Sequence, residues 1–196
     1  MKSLRKEILG KKYEMMEDGG LYLPAAKVTV GGVFQHWIND DKEGIQFDPN
    51  IVVNEGLDHI LDATLSNGTQ NSTWYVGIFG NNYTPAAADT ADGGGTPANS
   101  FWASGQADEV TTQYTEGARP TWTDAGVTSQ AVSNTASPAV FTFGTADNVY
   151  GAGLVSTNTK AGTTGILMAA SKFAAVRAML ISDVLNVTYS FTIADV

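Results

Sequence analysis

Cysteine is absent from this 196-residue chain, which excludes a disulfide-stapled fold, thiolate catalysis and Cys-ligated zinc or iron–sulfur centres. Charge is scarce too: Asp, Glu, Lys and Arg make up 16% of the residues, against about a quarter in ordinary globular domains. No apolar run approaches the ~18 residues that would cross a bilayer, so no membrane partner is expected. The stretch MKSLRKEILGKKYEMMEDGG has no apolar core of the length a secretory signal needs. The expectation is synthesis in a cytoplasm, with the protein staying there or leaving as part of an assembly.

Histidine occurs twice, at His36 and His59. The two fall on different predicted elements with no second histidine at metal-ligand spacing, so both read as surface histidines. With no Gly-x-Ser-x-Gly elbow, a Ser-His-Asp triad has little material. The acid pairs Asp40-Asp41, Asp89/Asp92 and Asp108-Glu109 lie in predicted loops and read as solvated carboxylates, with nothing to set two of them across a sugar cleft. Asp89–Gly93 lacks the alternating oxygen ligands of an EF-hand. Gly93-Gly94-Gly95 has no strand before it and no lysine plus helix after it, so it reads as flexible spacer and not as a phosphate cradle. These readings predict no catalytic, metal or cofactor site, and a protein that is not an enzyme.

What the chain has in quantity is Thr, Ser, Asn, Ala and 21 glycines, a mixture that favours strands, turns and loops. Its net charge of −9 is unevenly placed. Within residues 1–12, Lys2, Arg5, Lys6, Lys11 and Lys12 face only Glu7, which leaves +4. The remaining residues carry six cations and nineteen carboxylates, or −13. So acidic a body repels phosphate, and no direct nucleic-acid partner is expected. Residues 1–20 read as a basic arm with a short helix around Ser3–Leu9, either a solvated, partly disordered terminus or an arm that docks on a partner through those five cations. Residues 21–196 read as one β-domain.

Along that domain, Ala26–Trp37 alternates like a strand, with a turn or bulge expected at Gly31-Gly32. Residues 54–66 predict an amphipathic helix capped by Asn54 and stopped at Asn67-Gly68. Its stripe Leu57, Ile60, Leu61 and Leu65 is expected to pack in the core. Trp74–Phe79 reads as a strand buried on both faces. Residues 81–106 read as a long flexible loop, in which Phe101 and Trp102 stand out as candidate interface anchors. Arg119, one of only six cations beyond the arm, is expected to stack on Trp122 or pair with Glu116. The alternative role for Arg119 and Trp122 is as interface anchors, because Arg and Trp dominate hot spots. Further strands are predicted at Val127–Ser133, Ala139–Phe143, Val149–Ser156, Ile166–Phe173 and Val184–Ile193. Short strands at this spacing predict a mainly β fold, an antiparallel sandwich or jelly roll with one short helix and an extended N-terminal arm.

In order, the segments NEGLDHILDATL, WYVGIF, NYTPAAADT, EGARPTW, NTASPAVFTF, VYGAGLVS, ILMAASKF and VLNVTYSFTI resemble a family of tailed-bacteriophage virion proteins. The resemblance covers about residues 50–196 and excludes the arm. It implies a capsid decoration (cement) protein that binds the outside of the major capsid protein shell at subunit junctions, as a dimer or trimer on the virion surface. The alternative it leaves open is a tail- or fibre-associated protein that binds a host glycan, with Trp102 and Trp122 as stacking platforms.

Overall fold

The computed structural model describes residues 28–195 and, before them, the backbone of three strands. The chain divides into two compact units, Met1–Thr29 with Ala194–Val196, and Val30–Ile193. The boundary lies beyond the 20/21 position expected from sequence. In the first unit β1 (Arg5–Ile8), β2 (Lys11–Met15) and β3 (Leu21–Tyr22) form a three-stranded antiparallel sheet. The expected helix at Ser3–Leu9 is therefore a strand over Arg5–Ile8, while Ser3 and Leu9 lie outside the described residues. Ile8 pairs with Lys11, and two intervening residues are the length of a tight hairpin connection.

The second unit is mainly β, with two five-stranded antiparallel sheets and one α-helix. The first sheet has the order β10–β13–β4–β5, formed by Ala139–Thr142, Val184–Asp195, Val28–Ile38 and Gln46–Pro49, with β9 (Ala131–Ser133) also paired to β13. The second has the order β6–β12–β11–β7–β8: Ile51–Val52, Leu167–Met179, Asp147–Val155, Trp74–Phe79 and Thr121–Trp122. The helix α1 spans Asn54–Leu65. One buried cluster takes Phe34, Phe141, Leu185, Val187 and Tyr189 from the first sheet and Val76, Ile78, Leu154, Met168 and Phe173 from the second. The period-2 pattern of β13 explains its share: Leu185, Val187 and Tyr189 fall on one face.

Two sequence signals have meanings other than those expected. Gly31-Gly32 neither turns nor breaks β4. A side chain at Gly32 would lie 2.8 Å from the Tyr189 ring and against the Ser190 carbonyl, so the glycine lets β13 and its tyrosine, stacked on Phe34 at 4.4 Å, come close. Val127–Ser133 shortens to β9 because Ser129 and Gln130 adopt left-handed φ of 51° and 62°. Thr128 and Ala131 then exchange backbone hydrogen bonds of 2.8 and 3.0 Å, a tight two-residue hairpin.

The segment 81–106 is packed, not loose. Ala91, Phe101, Trp102 and Ala107 are buried with Phe79, Val155, Leu167 and Ala170 in a second cluster, on the face of the second sheet away from the first. Gly77 and Gly153 are cross-strand partners on β7 and β11, and together they form a bare floor for the Trp102 ring. A Cβ at Gly77 would meet that ring at 2.5 Å and one at Gly153 at 3.1 Å. Gly93, Gly94 and Gly95 all take left-handed φ, from 65° to 81°, a conformation that side chains resist. They form the bend that returns the chain for Phe101 and Trp102, and they are not a spacer. Trp74–Phe79 is thus a strand covered on both faces, as its unbroken apolar run predicts.

Gly77→Ala should cost about 1–3 kcal/mol by overpacking, read as a lower urea midpoint with an unchanged slope. Gly31→Ala, whose methyl meets nothing within 4 Å, should stay near wild type.

Candidate interaction surface

The four candidate anchors are core residues. Phe101 is 1% exposed, Trp102 3%, Arg119 2% and Trp122 8%, so their side chains are turned inward and do not present a free surface. For Trp102 and Arg119 the reason is a polar clamp under the 81–110 cover. Arg119 donates Nε to Glu109 Oε1 and one Nη to Oε2, both at 2.7 Å, and its guanidinium lies 4.6 Å from the centre of the Trp102 ring. Further bonds reach the carbonyls of Thr157 and Gly162, each at 3.1 Å, while Glu109 accepts the Ala161 N–H at 2.7 Å. The expected partners, Trp122 and Glu116, are engaged elsewhere. Trp122 donates its indole N–H to the Tyr189 carbonyl, and the Glu116 carboxylate accepts the Thr142 N–H on the outer edge of β10. Beside the clamp, Lys160 donates to the carbonyls of Thr111 and Tyr114 and sits 3.5 Å from the Tyr114 ring centre. Burial pushes the Lys160 ammonium below its ordinary range, and burial with the nearby Glu109 charge pushes the Tyr114 phenol up.

His36, expected at the surface, is fully buried. Its ring stacks on Phe173 at 3.5 Å. Nε2 bonds Asp48 at 2.8 Å and Nδ1 accepts from Arg177 Nε at 2.8 Å, which defines a neutral imidazole. Asp48 also accepts the Ala174 N–H, and Arg177 reaches the carbonyls of His36 and Gly44. The chain ties β4, β5 and β12 together. Burial lowers the His36 pKa from 6.5 to about 4, aided by the Arg177 charge and opposed by Asp48. His59 is half-buried, bonded to Asn71 and edge-on to Trp74.

The loop acids hold turns. Asp89 accepts from Tyr83 and Ala86, and Asp92 from Thr90 and Gly94. Of the arm residues, Lys2 lies outside the described residues, as do the side chains of Arg5, Lys6, Lys11 and Lys12.

The surface feature that sequence reasoning misplaced is α1. Its expected core stripe is split: Leu57 and Ile60 are half-buried, whereas Leu61 is 55% and Leu65 82% exposed. The first turn is held flat on β12, where a side chain at Gly56 would strike the Met168 carbonyl. Glu55 binds the N–H groups of Ala91 and Leu167 at 2.8 and 2.7 Å. Asn54 is already helical, and Val53 precedes it without a side-chain cap. This seating aims the later leucines at solvent. Alongside Ile60 runs a small apolar groove of about 120 Å³ between the sheets, lined by Trp74, Trp122, Val132, Leu154, Met168 and Phe191.

No family model matches the chain, and no curated protein matches it in sequence.

Glu109→Ala should cost about 3–5 kcal/mol by stranding the buried guanidinium, measured by chemical unfolding. For His36 the sign follows from its lowered pKa. The unfolded chain binds the extra proton first, so stability falls as pH drops from 6.5 to about 4 and then levels, by about 3 kcal/mol in all. His36→Gln should flatten that part of the stability–pH curve.

Proposed function

We propose that this is a structural, protein-binding component of a tailed-bacteriophage virion, a capsid decoration protein that binds the outside of the major capsid protein shell at subunit junctions. The two sheets, sharing one core, are read as the layers of a β-sandwich. A jelly-roll order draws less support, since β4–β5 and β11–β12 are hairpins within one sheet. The observation that carries the proposal is α1, which holds Leu61 and Leu65 in solvent while its Ile60 lines a small apolar groove. An ordered body presenting aliphatic side chains on a fixed helix is suited to adding buried area at a junction, with little ordering entropy to lose. The buried polar clusters around Arg119 and His36 tie loops and strands to one another.

Charge supports the same reading. The acidic body suits the outer face of a shell, away from packaged DNA, and the basic first twelve residues suit acidic patches on the capsid protein. A dimer or trimer would multiply modest contacts into avidity. The glycan alternative loses the two rings it needed, because Trp102 and Trp122 are both buried.

The test is co-sedimentation with expanded shells lacking the protein. Wild type should bind saturably, and Leu61→Ser/Leu65→Ser should bind several-fold more weakly. Neutralising Lys2, Arg5, Lys6, Lys11 and Lys12 to Gln in the full chain should lower affinity further and reduce its salt dependence. Absence of saturable wild-type binding would refute the proposal.

A further inference from the structure

The turn between β12 and β13 holds two more large aliphatic side chains in solvent. Leu180 is 65% and Ile181 67% exposed, directly after the buried Met179. Single exposed aliphatics are ordinary, but this pair sits on a turn whose backbone is fixed at Leu180, Ser182 and Asp183. Leu180 N–H donates to Asp183 Oδ2 at 2.8 Å, and Asp183 N–H returns to the Leu180 carbonyl at 3.1 Å. Ser182, at a left-handed φ of 72°, donates to the Phe143 carbonyl, and Phe143 N–H donates to the Asp183 carbonyl, both at 2.8 Å. The tip is a preorganised apolar knob, and binding through it forfeits little conformational entropy.

An acidic collar adjoins the knob on the side of the loop that follows β4. The other oxygen of Asp183 accepts from Asn39 Nδ2 at 3.0 Å, so one carboxylate joins the tip to the loop after β4. That loop is pinned to β13 by Asn39 N–H to Val184 O at 2.7 Å, Val184 N–H to Asn39 Oδ1 at 2.8 Å and Asn186 Nδ2 to Asn39 O at 3.0 Å. It presents Asp40, Asp41 and Glu43, all exposed, with Lys42 as its one cation. The hydrogen bonds from Leu180 and Asn39 hold the Asp183 carboxyl below its ordinary range, so it is charged at neutral pH. Arg177, half-buried, reaches the Gly44 carbonyl from beneath the loop and faces Asp41, so four carboxylates stand against two cations, an excess that repels anionic lipid and nucleic acid and is complementary to a cationic rim.

From the capsid-binding reading above, on which this step rests, we infer that the β12–β13 tip is an insertion knob: Leu180 and Ile181 enter an apolar hollow rimmed by Lys and Arg on the outer face of the major capsid protein. The apolar pair supplies the desolvated centre of the contact, and the collar orients it and hastens encounter.

Expanded shells lacking the protein are the probe, titrated with full-length wild type, Leu180→Ser/Ile181→Ser and Asp40→Asn/Asp41→Asn/Glu43→Gln. The serine pair should weaken binding by at least about tenfold while its thermal unfolding matches wild type, since both side chains are exposed. The charge-neutralised variant should bind more weakly at about 50 mM salt and lose much of the weakening that wild type shows at about 500 mM. Wild-type affinity in the serine pair would overturn the knob and leave the capsid reading standing. A salt response unchanged by neutralising the collar would overturn the cationic rim. Shells that fail to bind wild type would remove both readings together.

Discussion

The ion pair between Arg119 and Glu109 is the constraint on which the outer half of the second unit depends. Both side chains are essentially free of solvent, at 0% and 1% exposure. Each is bonded beyond the pair, Arg119 to two carbonyls and Glu109 to an amide. Such a pair adds little over an apolar equivalent of the same shape, but losing one member leaves an uncompensated charge in the interior. Its role is to specify one arrangement. Arg119 can reach Glu109, Thr157 and Gly162 only with the 107–119 and 157–165 segments in place, and Trp102 is then fixed between the guanidinium and the Gly77–Gly153 floor. The 81–110 cover, the two glycines and the buried charge form one interlocked device.

That device determines where apolar surface is left over. A sheet with one hydrophobic face needs one covering layer. This sheet carries hydrophobic residues on both, so the first sheet covers one face and the 81–110 segment covers the other. Helix α1 is consequently not needed as a full lid. Its first turns seat against β12 through Gly56 and Glu55, and its later leucines are surplus to the core. The β12–β13 tip is similar, since its hydrogen bonds fix the turn without using the side chains of Leu180 and Ile181. The side chains of Leu61, Leu65, Leu180 and Ile181 are therefore free for the external contacts proposed above.

Much of the fold was legible in the sequence because its signals are local. Trp74–Phe79 announces a doubly covered strand, the alternation from Val184 onward marks β13, and residues 54–66 contain the helix. The misreadings are those where the deciding partner is distant in the chain. His36 reads as a surface histidine because Arg177, which makes its neutral tautomer tolerable in the interior, lies 141 residues away. Gly77 and Gly153 look like ordinary strand glycines until the β7–β11 register places them side by side. The 81–106 segment reads as loose because its few large residues, Phe101 and Trp102, have no periodic pattern, yet they pack on that floor. Glu116 was the nearer carboxylate to Arg119 in sequence, but the β10 edge takes it through the Thr142 N–H. A helix stripe shows amphipathicity and not which partner its apolar face has, so Leu61 and Leu65 could be placed only with β12 in view.

The scarcity of cations ties these points to the proposed role. Of the five Lys and Arg residues within residues 28–195, Arg119, Lys160 and Arg177 are committed to internal carbonyls, rings or the His36 chain. Lys42 and Lys172 are left at the surface, against exposed carboxylates on α1, on the 39–44 loop and beside Trp122. The body therefore presents a surface of nearly uniform sign interrupted by aliphatic points. Such a surface resists self-association through its charged areas at low salt and concentrates adhesion where the aliphatics stand. The basic first twelve residues have the opposite sign, so one chain offers two chemically distinct contacts. On the proposed role, a partner matching both must expose cationic and anionic patches, and an ordered lattice of repeated subunits offers such a set again at every equivalent junction.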